Sequence, residues 1–130
     1  MELTAVIELE EEISTTQAEL ENLRSKAQAA GVAKIDGQPH GQATTSRVEA
    51  LAVKIVDTER KLDNLREEYK TSLRNLSRAI NQRVKGRAGT VLDFYYIMRL
   101  PFAEIASLLG LSVPRISQLH QQGRKAFYGQ

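Results

Sequence analysis

Apolar and small residues recur at alternating steps of three and four from the start of the chain: Val6, Leu9, Ile13, Thr16, Leu20, Leu23, Ala27 and Ala30. Most positions between them are polar or charged. This is a heptad pattern, whose period keeps one narrow stripe of a helix facing a partner. It predicts a helix over residues 3–30, stopped at Gly31, since glycine takes the left-handed conformation that closes a helix at little cost. Residues 31–45 carry Gly31, Gly37, Pro39 and Gly41 among polar residues without a period and read as a connecting loop. Ser46 and Glu49 stand three apart, as in a capping box that satisfies the orphan amides of a helix start, so a second helix is predicted over residues 46–86. Val48, Leu51, Ile55, Thr58, Leu62, Leu65 and Tyr69 keep the heptad spacing. Leu73, Leu76, Ile80 and Val84 continue it on a slightly rotated stripe, up to Gly86 and Gly89.

A helix with a narrow apolar seam is marginal alone in water, so each seam needs another helix to cover it. The periodicity fits an antiparallel hairpin within one chain and equally a stalk formed between two chains. The expectation is a hairpin that also offers a surface for a homodimer.

The pattern changes after residue 90. TVLDFYYIMRL, residues 90–100, puts Val91, Phe94 and Ile97 on one stripe with Leu92, Tyr95 and Met98 beside it, the broad face of a short core helix. Pro101 ends it, because proline lacks an amide proton and disfavours helix at the preceding residue. FAEIASLLGLSVPRISQLH, residues 102–120, then has the spacing of a helix-turn-helix. Ala106 stands where two helices cross and only a small side chain fits. Gly110 sits at the turn, where a left-handed backbone is needed. Ile116 anchors the second helix, and Ile105, Leu108 and Leu109 supply facing apolar groups. Ser112 can cap the second helix, and Pro114 is tolerated in its first turn. That helix is predicted from Val113 to Phe127, with Ile116, Leu119 or His120, Gly123 and Phe127 inward. The fold class is thus all-α: a long two-helix antiparallel coiled-coil hairpin over residues 1–86, followed by a tri-helical helix-turn-helix domain over residues 87–130.

The outward face of the last helix carries Arg115, Ser117, Gln118, Gln121, Gln122, Arg124 and Lys125 and no acid. With Ser112 and Pro114 at its first turn, these are the candidate DNA-binding residues. Arginine can bond a guanine edge twice and glutamine an adenine edge, while lysine and arginine suit phosphates. Charge distribution sharpens this reading. Residues 1–30 carry a net charge of −5 and the chain from Val84 onward +4, although the whole is only +2. The C-terminal third is the polyanion-binding end. Six of the seven aromatic residues also lie after residue 90, which places the main core there.

The stretch from Val91 to Phe127, with EIA at Glu104 to Ala106, LGLS at Leu109 to Ser112 and RK at Arg124 and Lys125, resembles region 4 of bacterial sigma factors. The resemblance implies a helix-turn-helix that reads an upstream promoter element beside RNA polymerase. The whole chain further resembles small sigma-like proteins of Gram-positive phages and prophages, the ArpU and RinA type of late-transcription regulators. It shows no counterpart of sigma region 2, so unaided promoter opening is not implied.

Other chemistries find no support in the residues. The chain has no cysteine, so disulfides and thiolate metal sites are excluded. His40 and His120 have no partner at a metal or acid–base spacing. Glu10, Glu11 and Glu12 are consecutive, so their carboxylates point around a helix instead of converging. Neither a phosphate-binding glycine loop nor a nucleophile elbow occurs. The expectation is a non-enzyme without cofactor or metal. With no run of roughly 18 apolar residues and no positive leader at the N-terminus, it is expected in the bacterial host cytoplasm, off the membrane. The leading reading is a sequence-specific, phage or prophage transcription regulator that binds double-stranded DNA. A small-terminase-like packaging subunit and a coiled-coil adaptor that does not bind DNA are the alternatives.

Overall fold

The computed structural model of the chain describes residues 1–32 and 42–129. All regular structure among them is helical: α1 (Ala5–Val32), α2 (Gln42–Arg83), α3 (Gly86–Leu92), α4 (Phe102–Leu109) and α5 (Val113–Tyr128), with α3 running on into a π-helical turn over Asp93–Ile97. The all-α class expected from the sequence is what the chain adopts.

The heptad positions are the ones that lose water. On α1, Val6, Leu9, Thr16 and Leu20 are buried and Ile13, Leu23, Ala27 and Ala30 half-buried. On α2, Thr58, Leu62, Leu65, Leu76 and Ile80 are buried, and Val48, Leu51, Ile55, Tyr69 and Leu73 half-buried. The two helices meet along this stripe.

The chain groups into two compact units, Leu9–Glu68 and Met1–Glu8 with Tyr69–Gln130. In the first, Leu20 and Arg24 share a shallow cleft with Glu59, Leu62 and Arg66, while Ala29 and Ala30 share another with Arg47 and Leu51. Numbers rise along one helix as they fall along the other, which defines an antiparallel hairpin. Arg24 and Glu59 form an ion pair at 3.3 Å, but both side chains stay about half exposed, so the pair adds under about 1 kcal/mol. The apolar seam holds the hairpin together. No buried side-chain polar atom among the described residues lacks a hydrogen-bond partner, so the buried Thr16 and Thr58 leave no unmet polar group in it.

The second unit has two adjoining clusters. One joins Leu3 and Val6 of the N-terminal segment to Leu76, Ile80 and Val84 near the end of α2 and to Leu92, Tyr96 and Phe127. The other joins Val91 to Ile105 and Ala106 of α4 and to Ile116 and Leu119 of α5. Packing therefore does not divide at residue 86. The wide apolar surface of α3 and α5 is covered by the first turn of α1 and the last turns of α2.

Three local expectations are corrected. Ser46 does not cap α2, which starts at Gln42; nothing between Gln42 and Ser46 resists a helix, since the nearest breaker is Gly41. Of the loop expected over residues 31–45, residues 33–41 lie outside the described residues, and helix extends into both of its ends. Gly86, with φ of 70°, opens α3, and Gly89 lies inside it, so α2 ends at Arg83.

The helix expected over residues 90–100 starts earlier and ends at Ile97. Its last turn is wide: the Met98 amide reaches back five residues to the Asp93 carbonyl and the Leu100 amide six to that of Phe94, both near 3 Å. Pro101 bars helix at Leu100, so closure falls one residue earlier, on Arg99, which takes a left-handed φ of 58°. The extra residue in the turn rotates the stripe. Tyr96 is buried, Phe94, Tyr95 and Ile97 are half-buried, and Met98 is 55 % exposed, not part of the core face as expected.

Candidate nucleic-acid interface

Two residues set the geometry between α4 and α5. Gly110 has φ of 67°, so the chain reverses at once, and the Gly110 and Leu111 amides both return to the Ala106 carbonyl. Ser112 is extended, and its hydroxyl accepts from the Arg115 amide at 3.3 Å. Pro114 occupies the first turn, where its missing amide proton costs no hydrogen bond.

One face of α5 is buried through Ile116, Leu119, Gly123 and Phe127. At Gly123 the reason is contact: a Cβ there would lie 2.8 Å from Leu92 Cγ and 3.1 Å from the Ala88 carbonyl oxygen. Helices α3 and α5 approach so closely that any side chain at position 123 would have to displace Leu92. On α4, Ile105 and Ala106 face α5 as expected, but Leu108 is 60 % exposed. At 100° per residue it lies beyond the arc defined by Ile105, Ala106 and Leu109.

The opposite face of α5 is open. Ser112, Pro114, Arg115, Gln118, Gln121, Gln122, Arg124 and Lys125 are exposed and Ser117 is half-buried. The Arg115 guanidinium donates to Gln118 Oε1 at 3.2 Å, one turn along, so the two side chains are presented together. No acidic residue lies between Val113 and Tyr128. A rigidly seated helix thus displays three cations and three amides without a carboxylate.

His120, which the sequence offered only as an alternative to Leu119 on the inner face, is the hub of an aromatic cluster. Its Nε2 lies 2.8 Å from the Tyr96 hydroxyl, and its ring stacks on Tyr96 at 5.5 Å and meets Tyr95 and Phe102 edge-on or tilted near 5 Å. The π-helical turn makes this possible by turning both Tyr95 and Tyr96 toward α5. Burial, and then the Arg124 charge, hold the imidazole below the usual histidine pKa of 6.5. The folded state therefore favours neutral His120, and the unfolded chain binds more protons just below pH 6.5. Stability should fall as pH drops through about 6.5 and level off once His120 titrates in the fold. Asp93, whose pKa burial raises above 3.8, acts with the opposite sign, losing stability as pH rises through its folded value. Unfolding midpoints of the protein and of His120→Gln, measured from pH 7.5 to 5, should converge toward acid. Parallel curves would exclude His120 as the source.

Among the described residues no helix is long and apolar enough to cross a membrane. Comparison with family models, with curated proteins and with solved structures gives no match.

Proposed function

We propose that the protein is a sequence-specific DNA-binding regulator of transcription, with α5 entering the major groove and α4 bracing it. The observation that carries this reading is the acid-free exposed face of α5, set opposite a fully packed inner face. A duplex presents a dense field of phosphate charge, which a carboxylate on that face would oppose. Arg115 and Gln118, near the helix N-terminus, are placed to reach base edges, and Arg124 and Lys125, near its end, to meet phosphates. The likeness of Glu104–Ala106, Leu109–Ser112 and Arg124–Lys125 to sigma region 4 supports a promoter target beside RNA polymerase and a phage or prophage origin. A homodimer belongs to the same proposal, since two copies of α5 would then read two half-sites.

The test is retention of random duplexes by the purified protein at two salt concentrations, followed by sequencing. An enriched motif is expected. Alanine at Arg115 or Gln118 should relax preference at individual positions, by about 1–3 kcal/mol each. Alanine at Arg124 or Lys125 should weaken binding to all sequences and reduce the salt slope by about one each. Equal effects of all four across sequences would exclude base reading by α5. Salt-sensitive binding without a motif, from a many-subunit ring in light scattering, would instead indicate DNA packaging, and no binding at low salt a protein adaptor.

A further inference from the structure

The C-terminal half of α5 has a second feature, built around Tyr128, a residue that duplex reading does not use. Gln121, Arg124, Lys125 and Tyr128 share one stripe and line an open cleft of about 330 Å³. Tyr128 is 43 % exposed, yet its orientation is fixed. Its hydroxyl accepts from the Leu3 amide at 3.0 Å and donates to Glu2 Oε2 at 3.0 Å, while its ring stands edge-on to Phe127 at 5.2 Å. Both bonds tie the ring to the N-terminal segment and hold it in one orientation. The result is a rigid aromatic face with a guanidinium and an ammonium one turn before it and an amide two turns before.

Stacking requires access to the flat face of a base, which a paired duplex hides between its neighbours. We infer that this cleft holds an unpaired nucleotide of a DNA strand, the base against Tyr128 and the adjoining phosphate on Arg124 and Lys125. The Gln121 amide, both donor and acceptor, can meet a base edge of either polarity. The Glu2 carboxylate lies at the hydroxyl end of the ring, so the phosphate belongs at the other end, toward the two cations. This inference does not rest on duplex recognition by Arg115 and Gln118.

The full-length protein should be titrated at low salt with a short labelled oligothymidylate and with an abasic strand of the same length, with anisotropy as the readout. The base-bearing strand is expected to bind about tenfold tighter, the scale of one aromatic stacking contact. Tyr128→Ala should bring its affinity to the abasic level, and Tyr128→Phe, which keeps the ring, should stay within about threefold of the parent. Equal affinity of the unaltered protein for the two strands would overturn the inference, and that comparison needs no variant to fold. A blunt duplex in parallel separates the two readings. Its failure to bind would count against the duplex proposal alone, while unchanged strand preference in Tyr128→Ala would count against this one alone.

Discussion

Alanine in place of Phe127 is expected to lower the free energy of unfolding by about 3–5 kcal/mol, the usual cost of emptying a buried phenylalanine site. The ring is 0 % exposed and sits in one cluster with Leu3 and Val6, Leu76 and Ile80, and Leu92 and Tyr96, so three other segments meet on it. The Arg83 guanidinium lies over the ring at 4.8 Å, worth about 0.5–1 kcal/mol more. A domain of this size has only about 5–15 kcal/mol in total, so roughly a fifth or more of the stability would go. Urea unfolding followed by far-ultraviolet circular dichroism would measure it, and a loss under about 1 kcal/mol would mean that the site collapses on itself. Hydrogen exchange adds a sharper check. Because the same ring covers Leu3 and Val6, amides at the start of α1 should exchange faster together with those at the end of α5. Acceleration at α5 alone would refute the joint packing of the N-terminal segment with the helix-turn-helix.

That joint packing also shows where sequence reading stops. Heptad spacing is a local signal: a residue at position a or d must be covered by something, and Val6, Leu62 and Ile80 are. It does not say what covers it. Val6 and Ile80 continue the same stripes as Leu20 and Leu62, yet they pack with Leu92 and Phe127 in a different unit. The turn at Gly110 and the cap at Ser112 were legible because backbone chirality and orphan amides admit few residues there. The exposed face of α5 was legible for the complementary reason that its inward residues recur at helical spacing. Ser46 misled because a capping box is a pair of side chains, and a helix ignores it when the preceding residues are equally willing. The π-helical turn left no signal in DFYYI, since its cause lies downstream in Pro101 and its effect, the burial of Tyr96, lies in the packing of α5. The partners of His120 were not legible for the same reason. A lone histidine on a helix is uninformative until the three rings around it, all from other elements, are in place.

Gly123 yields the second large effect, and its sign can be argued from two opposed terms. Glycine inside a helix is about 1 kcal/mol worse than alanine, so on propensity alone Gly123→Ala would stabilise α5. The new Cβ, however, would meet Leu92 Cγ at 2.8 Å and the Ala88 carbonyl at 3.1 Å. Leu92 is fully buried and cannot swing away, and Ala88 contributes backbone. Overpacking of this kind costs about 1–3 kcal/mol, so alanine should be neutral to moderately destabilising and Gly123→Val, with two further methyl groups, should cost about 3 kcal/mol or more. Thermal melts of the two variants would give the order. The cause can be isolated by repeating Gly123→Ala in a Leu92→Ala background, where the tightest contact is gone. There the substitution should become neutral or stabilising, a coupling of about 1–2 kcal/mol between positions that touch only across the α3–α5 interface. An additive pair would mean that helix propensity and not contact governs the site. Coupling would instead mean that the depth at which α5 sits on α3, and with it the height of Arg115, Gln118 and Arg124 above the surface, is set by the missing side chain at Gly123. On the proposed duplex reading, valine should then weaken binding even at temperatures where the fold persists, because it lifts the exposed face of α5 without touching any residue in it.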